Sequence, residues 1–594
     1  MRVFTGVLVG IGLAAASLPA DATAQYDLDG TVSAYPAPGT ISASNSTQIS
    51  FRGRARPGIG TVSVRGSRTG RHAGTLRSHS DGKGASWVPK RRFTGGERVT
   101  VRTSLPIAGA KAGDFTLRIG RIPVRVTLQE RLLENIAPGK VRSFRSRPDL
   151  KPPLVTVSPN PGPTAPGLVF LSPKAKNDTK QAGPMIIDNE GRLIWFQARP
   201  GVQAATEFRA QTYRGKPVLT YWDGTSRQGI GVGDLVILDQ AYREIRRFTA
   251  PNGFRPDLHE FLITADDTAV LISYPSVRTD LRRIGGARNQ LTVDSVIQEI
   301  DIATGLIVFE WHSLGHIGLA ETFSAPIRNP EVPFDYAHFN SVNLDRDGDF
   351  IASARNTWAV YKIDRETSAI RWRLGGRQSS FKLGAGVKFA WQHDAQRREP
   401  DGAITLFDNS AFPPVRKHTR VLAITLDERR RTARLKSAYL HPRKLLVATQ
   451  GNVQNLPDGG SFVGWGSQRY FTEYDARGRV RWDARLSVGF ESYRAYRLPW
   501  VGRPVTRPKI VVDGRGRRAM DVFVSWNGAT EVASWEVMGG PSPSPLTSLK
   551  LGPRAGFETR IPVAARTRWV AVRALDAAGN VLGTSPVARV ASGG

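Results

Sequence analysis

Three histidines occupy the same position in three consecutive segments of the chain. His259, His338 and His393 each stand at nearly the same distance before a hairpin turn. A neutral imidazole can act as a nucleophile, exchange a proton near neutral pH or bind zinc or copper. One such histidine would more simply hydrogen-bond between strands, but three at one position favour a functional site. The three turns are Asp266-Asp267, Asp347-Gly348 and Asp401-Gly402.

Arg355 indicates which kind of ligand this site binds. It stands at the far end of the strand that His338 begins, so its side chain is expected in the same space. A guanidinium repels a divalent cation, whereas imidazoles and a guanidinium together suit a tetrahedral oxyanion. We therefore predict an anion site that needs neither a metal nor another cofactor.

The elements that position these residues come from an internal repeat. Each copy is an apolar strand, a turn opened by aspartate and a second strand that often ends in an aromatic residue. Six copies, at intervals of 48 to 63 residues, have their turns at Asp188, Asp239, Asp301, Asp364, Asp427 and Asp475. They predict an all-β, six-bladed β-propeller; a solenoid is the alternative, but the repeats are long for one and lack capping units. Because the first strand of each blade lines the central channel, the three histidines are expected to converge at one mouth of the axis.

Short strands and turns also fill both flanks of the repeat region. Residues 25–135 predict a β-sandwich-like domain, and the prolines of residues 136–165 predict a stiff linker or strap. The propeller is expected over residues 166–502. Residues 503–594 predict a C-terminal β-sandwich similar to fibronectin type III or immunoglobulin modules.

Composition and the N-terminus indicate the compartment. The absence of cysteine excludes disulfides, thiol catalysis, cysteine-ligated zinc and iron–sulfur clusters. An apolar stretch followed by small residues predicts a secretory signal peptide over residues 1–24; an uncleaved membrane anchor is the alternative. No later stretch is expected to insert in a membrane. The mature protein is therefore expected to be secreted or extracytoplasmic.

The charge balance suggests the kind of partner. Lys and Arg number 83 against 51 Asp and Glu, for a net charge of +32. No nucleic-acid-binding signature accompanies this charge, so an anionic small substrate or an anionic cell envelope fits better. The alternative is that arginine merely solvates a surface on which the charge is spread along the whole chain. No pattern points to a particular oligomeric state.

Several stretches together resemble the arylsulfotransferase family, the bacterial aryl-sulfate-dependent sulfotransferases. They agree in order, spacing and residue type over roughly residues 145–500. The stretches are Asp257-Leu258-His259-Glu260-Phe261, Asp335-Tyr336-Ala337-His338-Phe339-Asn340, Ser353-Ala354-Arg355-Asn356, Trp391-Gln392-His393-Asp394, and residues 370–376, 406–409, 451–454 and 491–497.

The resemblance implies a six-bladed propeller that moves a sulfuryl group from an aryl sulfate donor to a phenol acceptor, without a nucleotide donor. The transfer would pass through a sulfohistidine in two half-reactions. Carried over by position, His393 is the nucleophile, while His259, His338 and Arg355 hold the sulfate oxygens. This chain departs from enterobacterial members in lacking their cysteine pair, and both flanking β-modules are additions.

Other features leave alternatives open. The same ring of residues could belong to a propeller that binds an anionic extracellular or envelope ligand without turnover, or to a sulfatase-like hydrolase. Asp345, Asp347 and Asp349 alternate as in a calcium loop, but a polar hairpin turn explains them better because other calcium ligands are missing. Either His259 or His338 is expected to be the base for the acceptor phenol. The aromatic candidates for lining the axis are Trp222, Tyr274, Tyr336, Trp358, Trp391 and Trp465.

Overall fold

The computed structural model describes residues 30–111, 113–121, 140–159, 162–175, 181–199, 204–227, 229–327, 329–515 and 518–590. Strands make up 49% and helices 2% of the chain, which confirms the all-β prediction. Within the described residues the helical part is three short 3-10 turns, at Arg56–Gly58, Arg282–Ile284 and Leu319–Glu321. The expected signal peptide, residues 1–24, lies outside the described residues, as do residues 136–139, 160 and 161 of the expected linker.

The N-terminal unit consists of two four-stranded antiparallel sheets. Their strand orders are β1-β2-β6-β5 and β4-β3-β7-β8. In β7 and β8 buried apolar residues alternate with less buried ones, as expected for a strand with one face on a core. The strands are β1 Ser33–Tyr35, β2 Ile49–Arg52, β3 Ser63–Gly66, β4 Gly70–His72, β5 Gly74–Ser78, β6 Gly84–Pro89, β7 Arg98–Arg102 and β8 Phe115–Arg118.

The central region contains the strands that carry the predicted site. They are β9 Val155–Val157, β10 Leu168–Ala175, β11 Met185–Ile187, β12 Leu193–Phe196, β13 Ala204–Tyr213, β14 Lys216–Arg227, β15 Ile230–Leu238, β16 Glu244–Phe248, β17 Phe261–Ile263, β18 Thr268–Ser273, β19 Ser276–Thr279, β20 Gln290–Val293, β21 Val296–Asp301, β22 Ile307–His312, β23 Phe334–Asp335, β24 Phe339–Leu344, β25 Phe350–Ala354, β26 Ala359–Ile363, β27 Ile370–Gly375, β28 Lys382–Leu383, β29 His393–Arg397, β30 Ile404–Asp408, β31 Arg420–Asp427, β32 Thr432–Tyr439, β33 Asn452–Asn455, β34 Ser461–Gly464, β35 Tyr470–Tyr474, β36 Val480–Leu486 and β37 Phe490–Leu498.

Six sheets of the central region, here numbered I to VI, each contain one copy of the repeat. Their strand orders are β12-β11-β10-β37 for sheet I, β13-β14-β15-β16 for II, β17-β18-β21-β22 for III, β24-β25-β26-β27 for IV, β28-β32-β31-β30-β29 for V and β33-β34-β35-β36-β9 for VI. A separate three-stranded sheet, β19-β20-β23, extends from sheet III. Two strands are contributed from far away in sequence, because β37 completes sheet I and β9 completes sheet VI.

The aspartate of each repeat has a local structural role. At Asp188 and Asp475 one carboxylate oxygen accepts backbone N–H groups two and four residues further on, which closes the turn between paired strands. The other oxygen of each pairs with an arginine four residues away, Arg192 or Arg479. The repeat therefore encodes a hairpin at the same place in each sheet.

The sheets pack face to face. Strands β18 and β25 are buried along their whole length, so both faces are covered. One core cluster joins Phe309 and Trp311 of sheet III to Phe339 and Tyr361 of sheet IV. The first strands of neighbouring sheets lie against each other, as β24 does on β29 and β29 on β33, and β37 contacts both β13 and β33. The starts of these strands are thereby brought to one region.

The C-terminal unit again has two sheets. Their orders are β38-β39-β42 and β41-β40-β43-β44, and β45 pairs with β43. Trp535, Val522 and Val572 belong to the core between them. The strands are β38 Lys509–Arg515, β39 Ala519–Ser525, β40 Ser534–Gly540, β41 Thr547–Pro553, β42 Glu558–Val563, β43 Trp569–Leu575, β44 Val581–Thr584 and β45 Ala588–Arg589.

Candidate active site

The three predicted histidines lie together. His393 begins β29, His338 immediately precedes β24, and His259 precedes β17, so each stands at the start of the first strand of its sheet. The ring centroids of His259 and His338 are 4.9 Å apart with the rings perpendicular. The Tyr493 ring of β37 contacts two of them, with its centroid 5.3 Å from that of His259 and 6.4 Å from that of His393. The equal position in the repeat thus brings the side chains to one place.

Arg355 belongs to the same cluster, although it reaches it by a different route from the one predicted. It follows β25, the second strand of sheet IV, and not the strand that His338 begins. Because β24 and β25 are antiparallel, the end of β25 returns beside the start of β24, and the Arg355 N–H donates to the His338 carbonyl at 2.8 Å. Its guanidinium lies 4.7 Å from the ring centroid of Trp391. Among the described residues the guanidinium donates to the Asn356 side chain at 2.9 Å and forms no salt bridge, so its remaining N–H groups can meet an anion.

Two of the histidines have carboxylate partners. The Nδ1 atom of His259 hydrogen-bonds to Asp257, and that of His338 hydrogen-bonds to Asp335. A carboxylate at Nδ1 accepts the Nδ1 proton and stabilises the imidazolium form. In both residues Nε2 is therefore the atom that can gain or lose a proton. Burial lowers the pKa of His259 well below its ordinary value and raises the pKa of Asp257 to about 7.

The third histidine has an amide partner instead. Asn409 donates both Nδ2 protons, to the carbonyls of Val447 at 3.2 Å and Gln450 at 2.9 Å, which turns its Oδ1 towards His393. The His393 Nδ1–H donates to this oxygen at 2.7 Å, and Nε2 accepts the Gln450 N–H at 3.2 Å. Burial and then the Arg355 charge lower the pKa of His393 well below its ordinary value. His393 is thus a neutral imidazole with its lone pair on Nε2.

Access to the cluster is narrow. His259 and His393 are each 2% exposed, His338 is 8% exposed and Arg355 is half-buried. The side of His338 and Arg355 is therefore the one that faces solvent. Electrostatic interactions are strong in such a place because little water screens them.

A buried ion network, which sequence reasoning missed, lies beneath the histidines. Arg494 of β37 is paired with Glu207 at 2.8 Å and with Glu260 at 3.3 Å. Its other nitrogen donates to the carbonyls of His259 at 3.0 Å and Asn340 at 2.7 Å. Burial raises the pKa of Glu207 to about 8. The network fixes the backbone that carries His259 and the strand that follows His338, and its Arg494 comes from β37, far away in sequence.

The aromatic candidates divide into two groups. Tyr274 stacks on His338 with 5.6 Å between ring centroids, Trp391 lies under Arg355, and Trp358 is 5.1 Å from Trp391. Phe323, which was not predicted, stacks face to face on Trp358 at 3.7 Å. These rings can hold an aryl group beside Arg355. The other candidates, Trp222, Tyr336 and Trp465, are buried in core clusters.

The carboxylates of the aspartate-rich turn are paired with a lysine side chain of the protein. Lys362 extends between Asp345, Asp347 and Asp349, with its Nζ 2.8 Å from an Asp345 oxygen. Arg397 and Arg371 neutralise the remaining carboxylate charge. This arrangement fits the hairpin interpretation and leaves no place for calcium. Among the described residues, no group of His, Cys, Asp and Glu side chains is arranged to hold a metal ion.

Another buried histidine lies outside the cluster, at the junction with the N-terminal unit. His312 forms ion pairs through both nitrogens, Nδ1 with Asp294 at 2.7 Å and Nε2 with Glu310 at 3.2 Å. Ser42 of the N-terminal unit also donates to Asp294 at 2.7 Å. Burial opposes the charge, but the two carboxylates outweigh it and raise the pKa of His312 to about 10. Both nitrogens are used inside the protein.

Comparison with known protein families gives one match. Residues 209–487 match the family model of the arylsulfotransferases (ASST), so this region of the chain is similar to that family. The matched region includes His259, His338, Arg355 and His393. The match supports aryl sulfotransferase activity in general. No curated protein matches the chain.

Solved structures give only distant similarities. A protein of unknown function from Bacteroides caccae is 13% identical with a TM-score of 0.35, over 56% of this chain and 98% of its own. A catalytically inactive virginiamycin B lyase from Staphylococcus aureus is 8% identical with a TM-score of 0.28, over 63% of this chain and 96% of its own. Within the described residues, no helix has the length and apolar character needed to span a membrane.

Proposed function

We propose that the protein is a secreted sulfotransferase that moves a sulfuryl group from an aryl sulfate to a phenol through a sulfohistidine at His393. The observation that carries this proposal is the difference in Nδ1 partners. His259 and His338 bond to carboxylates and can exchange a proton at Nε2, whereas His393 bonds to an amide and keeps a lone pair on Nε2. One site thus contains a nucleophile and proton-transfer groups.

In the first half-reaction, the Nε2 lone pair of His393 attacks the sulfur. The N–S bond forms as the S–O bond to the aryl group breaks, and the electron pair leaves on the phenolate oxygen. The Arg355 guanidinium holds the sulfuryl oxygens, and His259 and His338 lie beside it; with Nδ1–H bonded to a carboxylate, each of these two rings donates from Nε2 only in its imidazolium form. The Gln450 N–H, released from Nε2, can then also donate to a sulfuryl oxygen. The ring charge on sulfohistidine is offset by the Nδ1–H bond to Asn409.

In the second half-reaction, an acceptor phenol loses its proton and attacks the same sulfur, so that the N–S bond breaks and its electron pair returns to Nε2. We assign the base to His338. It is more exposed than His259, its Nδ1 partner Asp335 stabilises the imidazolium that forms, and it lies on the side from which an acceptor enters. The rings of Trp391, Trp358 and Phe323 offer a surface for the aryl groups.

We also propose that sheets I to VI are the blades of a closed six-bladed propeller over residues 166–502. Support comes from the inner-strand contacts and from the two strands, β37 and β9, that complete the first and last sheets. The flanking units would be the β-sandwich-like domain of residues 25–135, the strap of 136–165 and the fibronectin-III-like module of 503–594. Secretion through the signal peptide of residues 1–24, association with the cell envelope and the absence of nucleic-acid partners remain proposals from the sequence.

The test is a chromogenic aryl sulfate assay with and without a phenol acceptor. We expect released phenol to equal sulfated acceptor, parallel lines in double-reciprocal plots, and almost no inorganic sulfate. Equal amounts of phenol and inorganic sulfate, independent of acceptor, would instead show a hydrolase. Saturable binding of the aryl sulfate with no phenol released would show a binding propeller.

A further inference from the structure

The Tyr493 side chain has an unusual position within the histidine cluster. The residue is 2% exposed, and its hydroxyl is buried with no hydrogen-bond partner among the described residues. Its ring contacts those of both His259 and His393, and its backbone carbonyl accepts the Gly451 N–H at 3.1 Å, which fixes the strand beside the Gln450 turn. Tyr493 lies outside the region that the family model matches.

A buried hydroxyl without a partner is costly to the folded state, so it calls for an explanation. The neighbouring Arg355 does not provide one, because its guanidinium donates to the Asn356 side chain and forms no hydrogen bond with the Tyr493 hydroxyl among the described residues. Burial raises the pKa of the Tyr493 phenol well above its ordinary value, so the hydroxyl stays protonated and can only donate or accept weakly as a neutral group. Burial lowers the pKa of Arg355, and the neighbouring Asp335 acts in the opposite direction.

We propose that the Tyr493 hydroxyl is a further catalytic group of this site, which donates a hydrogen bond to an oxygen of the sulfuryl group held between His259 and His393. This inference rests on the proposed function. The hydroxyl has no acceptor in the free protein and gains one when the anion binds, so its hydrogen bond stabilises the bound and transferring sulfuryl group. The group takes no part in bond making or breaking, since the phenol keeps its proton.

If the Tyr493 hydroxyl acts on the sulfuryl group, its removal lowers activity without lowering stability. If it only packs, its removal leaves activity unchanged. In Tyr493→Phe the ring remains and only the unpartnered hydroxyl is lost, so the melting temperature should stay the same or rise. The value of kcat/KM for aryl sulfate should nevertheless fall roughly 10²-fold, which is the effect of removing one hydrogen-bond donor from an oxyanion hole. Inorganic sulfate should bind more weakly to the variant.

Tyr474→Phe is the matched control. The Tyr474 hydroxyl, on β35, is also buried but donates to the Leu440 carbonyl at 3.1 Å. Its loss should lower the melting temperature and leave kcat/KM unchanged. The two variants are therefore expected to show opposite patterns.

The experiment measures kcat and KM for an aryl sulfate, the affinity for inorganic sulfate by calorimetry, and the melting temperature of wild type and both variants. A Tyr493→Phe enzyme with wild-type kcat/KM and wild-type sulfate affinity would overturn the proposal, as would a sulfuryl group found on Tyr493. If the wild type releases no phenol, the proposed function fails. In that case the affinity for inorganic sulfate alone tests the role of Tyr493. Weaker binding by Tyr493→Phe than by the wild type supports the role, and equal binding, or no binding by either protein, overturns it.

Discussion

Two regions of the chain bury histidines in different ways, and of these two only one is suited to chemistry. At the junction with the N-terminal unit, His312 gives both ring nitrogens to carboxylates and is a fixed cation. In the central region, His393 gives Nδ1 to an amide, and its Nε2 accepts one backbone N–H, that of Gln450 at 3.2 Å, which an incoming group can replace. Burial and residue type are the same in both places. The partners of the ring nitrogens differ. Carboxylates at both nitrogens make His312 structural, whereas the amide at Nδ1 and the nearby Arg355 make His393 reactive.

The largest expected effect is loss of the nucleophile. His393→Asn removes the only imidazole that we assign to attack on sulfur, so kcat should fall at least roughly 10³-fold. The melting temperature should change little, because the asparagine can still reach the neighbouring amide groups. Aryl sulfate turnover and thermal unfolding of the purified variant measure this. Retention of more than a tenth of wild-type kcat would remove His393 from the mechanism.

The same substitution at the other histidine should have the opposite outcome. His312→Asn leaves Asp294 and Glu310 buried without their cation, which should cost about 3 to 5 kcal/mol of unfolding free energy. The kcat of the folded variant should equal that of the wild type. Chemical denaturation at pH 7 measures the loss, and a fall in kcat at full folding would contradict the contrast between the two regions.

The contribution of His312 should also depend on pH. Its pKa rises from an ordinary value of 6.5 to about 10 on folding, so its stabilisation is fully present below pH 6.5 and is lost as the pH rises through about 10. Unfolding free energies of wild type and His312→Asn should therefore converge across this interval. Parallel curves from pH 6 to pH 10 would show that His312 is not charged in the folded protein.

A substitution at Asn409 can make the surroundings of His393 resemble those of His312. Asn409→Asp places a carboxylate at Nδ1 of His393, which should raise the pKa of His393 and protonate its Nε2. The acid limb of the kcat/KM profile should move up by about one to two pH units, with activity recovered at higher pH. Asn452→Asp is the control, because Asn452 is equally buried but bonds to the Ala495 backbone. A profile that does not move, or that moves equally in both variants, would contradict the role of the amide.

The sequence predicts those features of the site that recur in each repeat. The six aspartate turns show which segments are equivalent, and this equivalence brings His259, His338 and His393 together before any coordinates are known. Arg355 lies in the cluster, as its distance from His338 predicts, but it follows β25 because the chain forms a hairpin between β24 and β25. Aromatic position was a weaker guide: strand position alone does not reveal which face of a ring packs in the core, as Trp222 and Trp465 show.

The unpredicted parts come from single residues contributed by distant strands. Tyr493 and Arg494 lie on β37, which pairs with β10 more than three hundred positions earlier in the chain. Asn409 directly follows β30, as Arg355 directly follows β25, so the two residues occupy the same position in sheets V and IV. Their roles depend on the closure of the sheets and on side-chain hydrogen bonds, which no local pattern encodes.

Peptide mapping of the sulfated enzyme tests the central claim most directly. The wild-type protein is mixed with an aryl sulfate in the absence of acceptor, quenched at alkaline pH and analysed by mass spectrometry. We predict one added sulfuryl group on the peptide that contains His393, its transfer to phenol on addition of acceptor, and its absence from His393→Asn. A sulfuryl group on any other residue, or none in a preparation that transfers sulfate to phenol, would contradict the account.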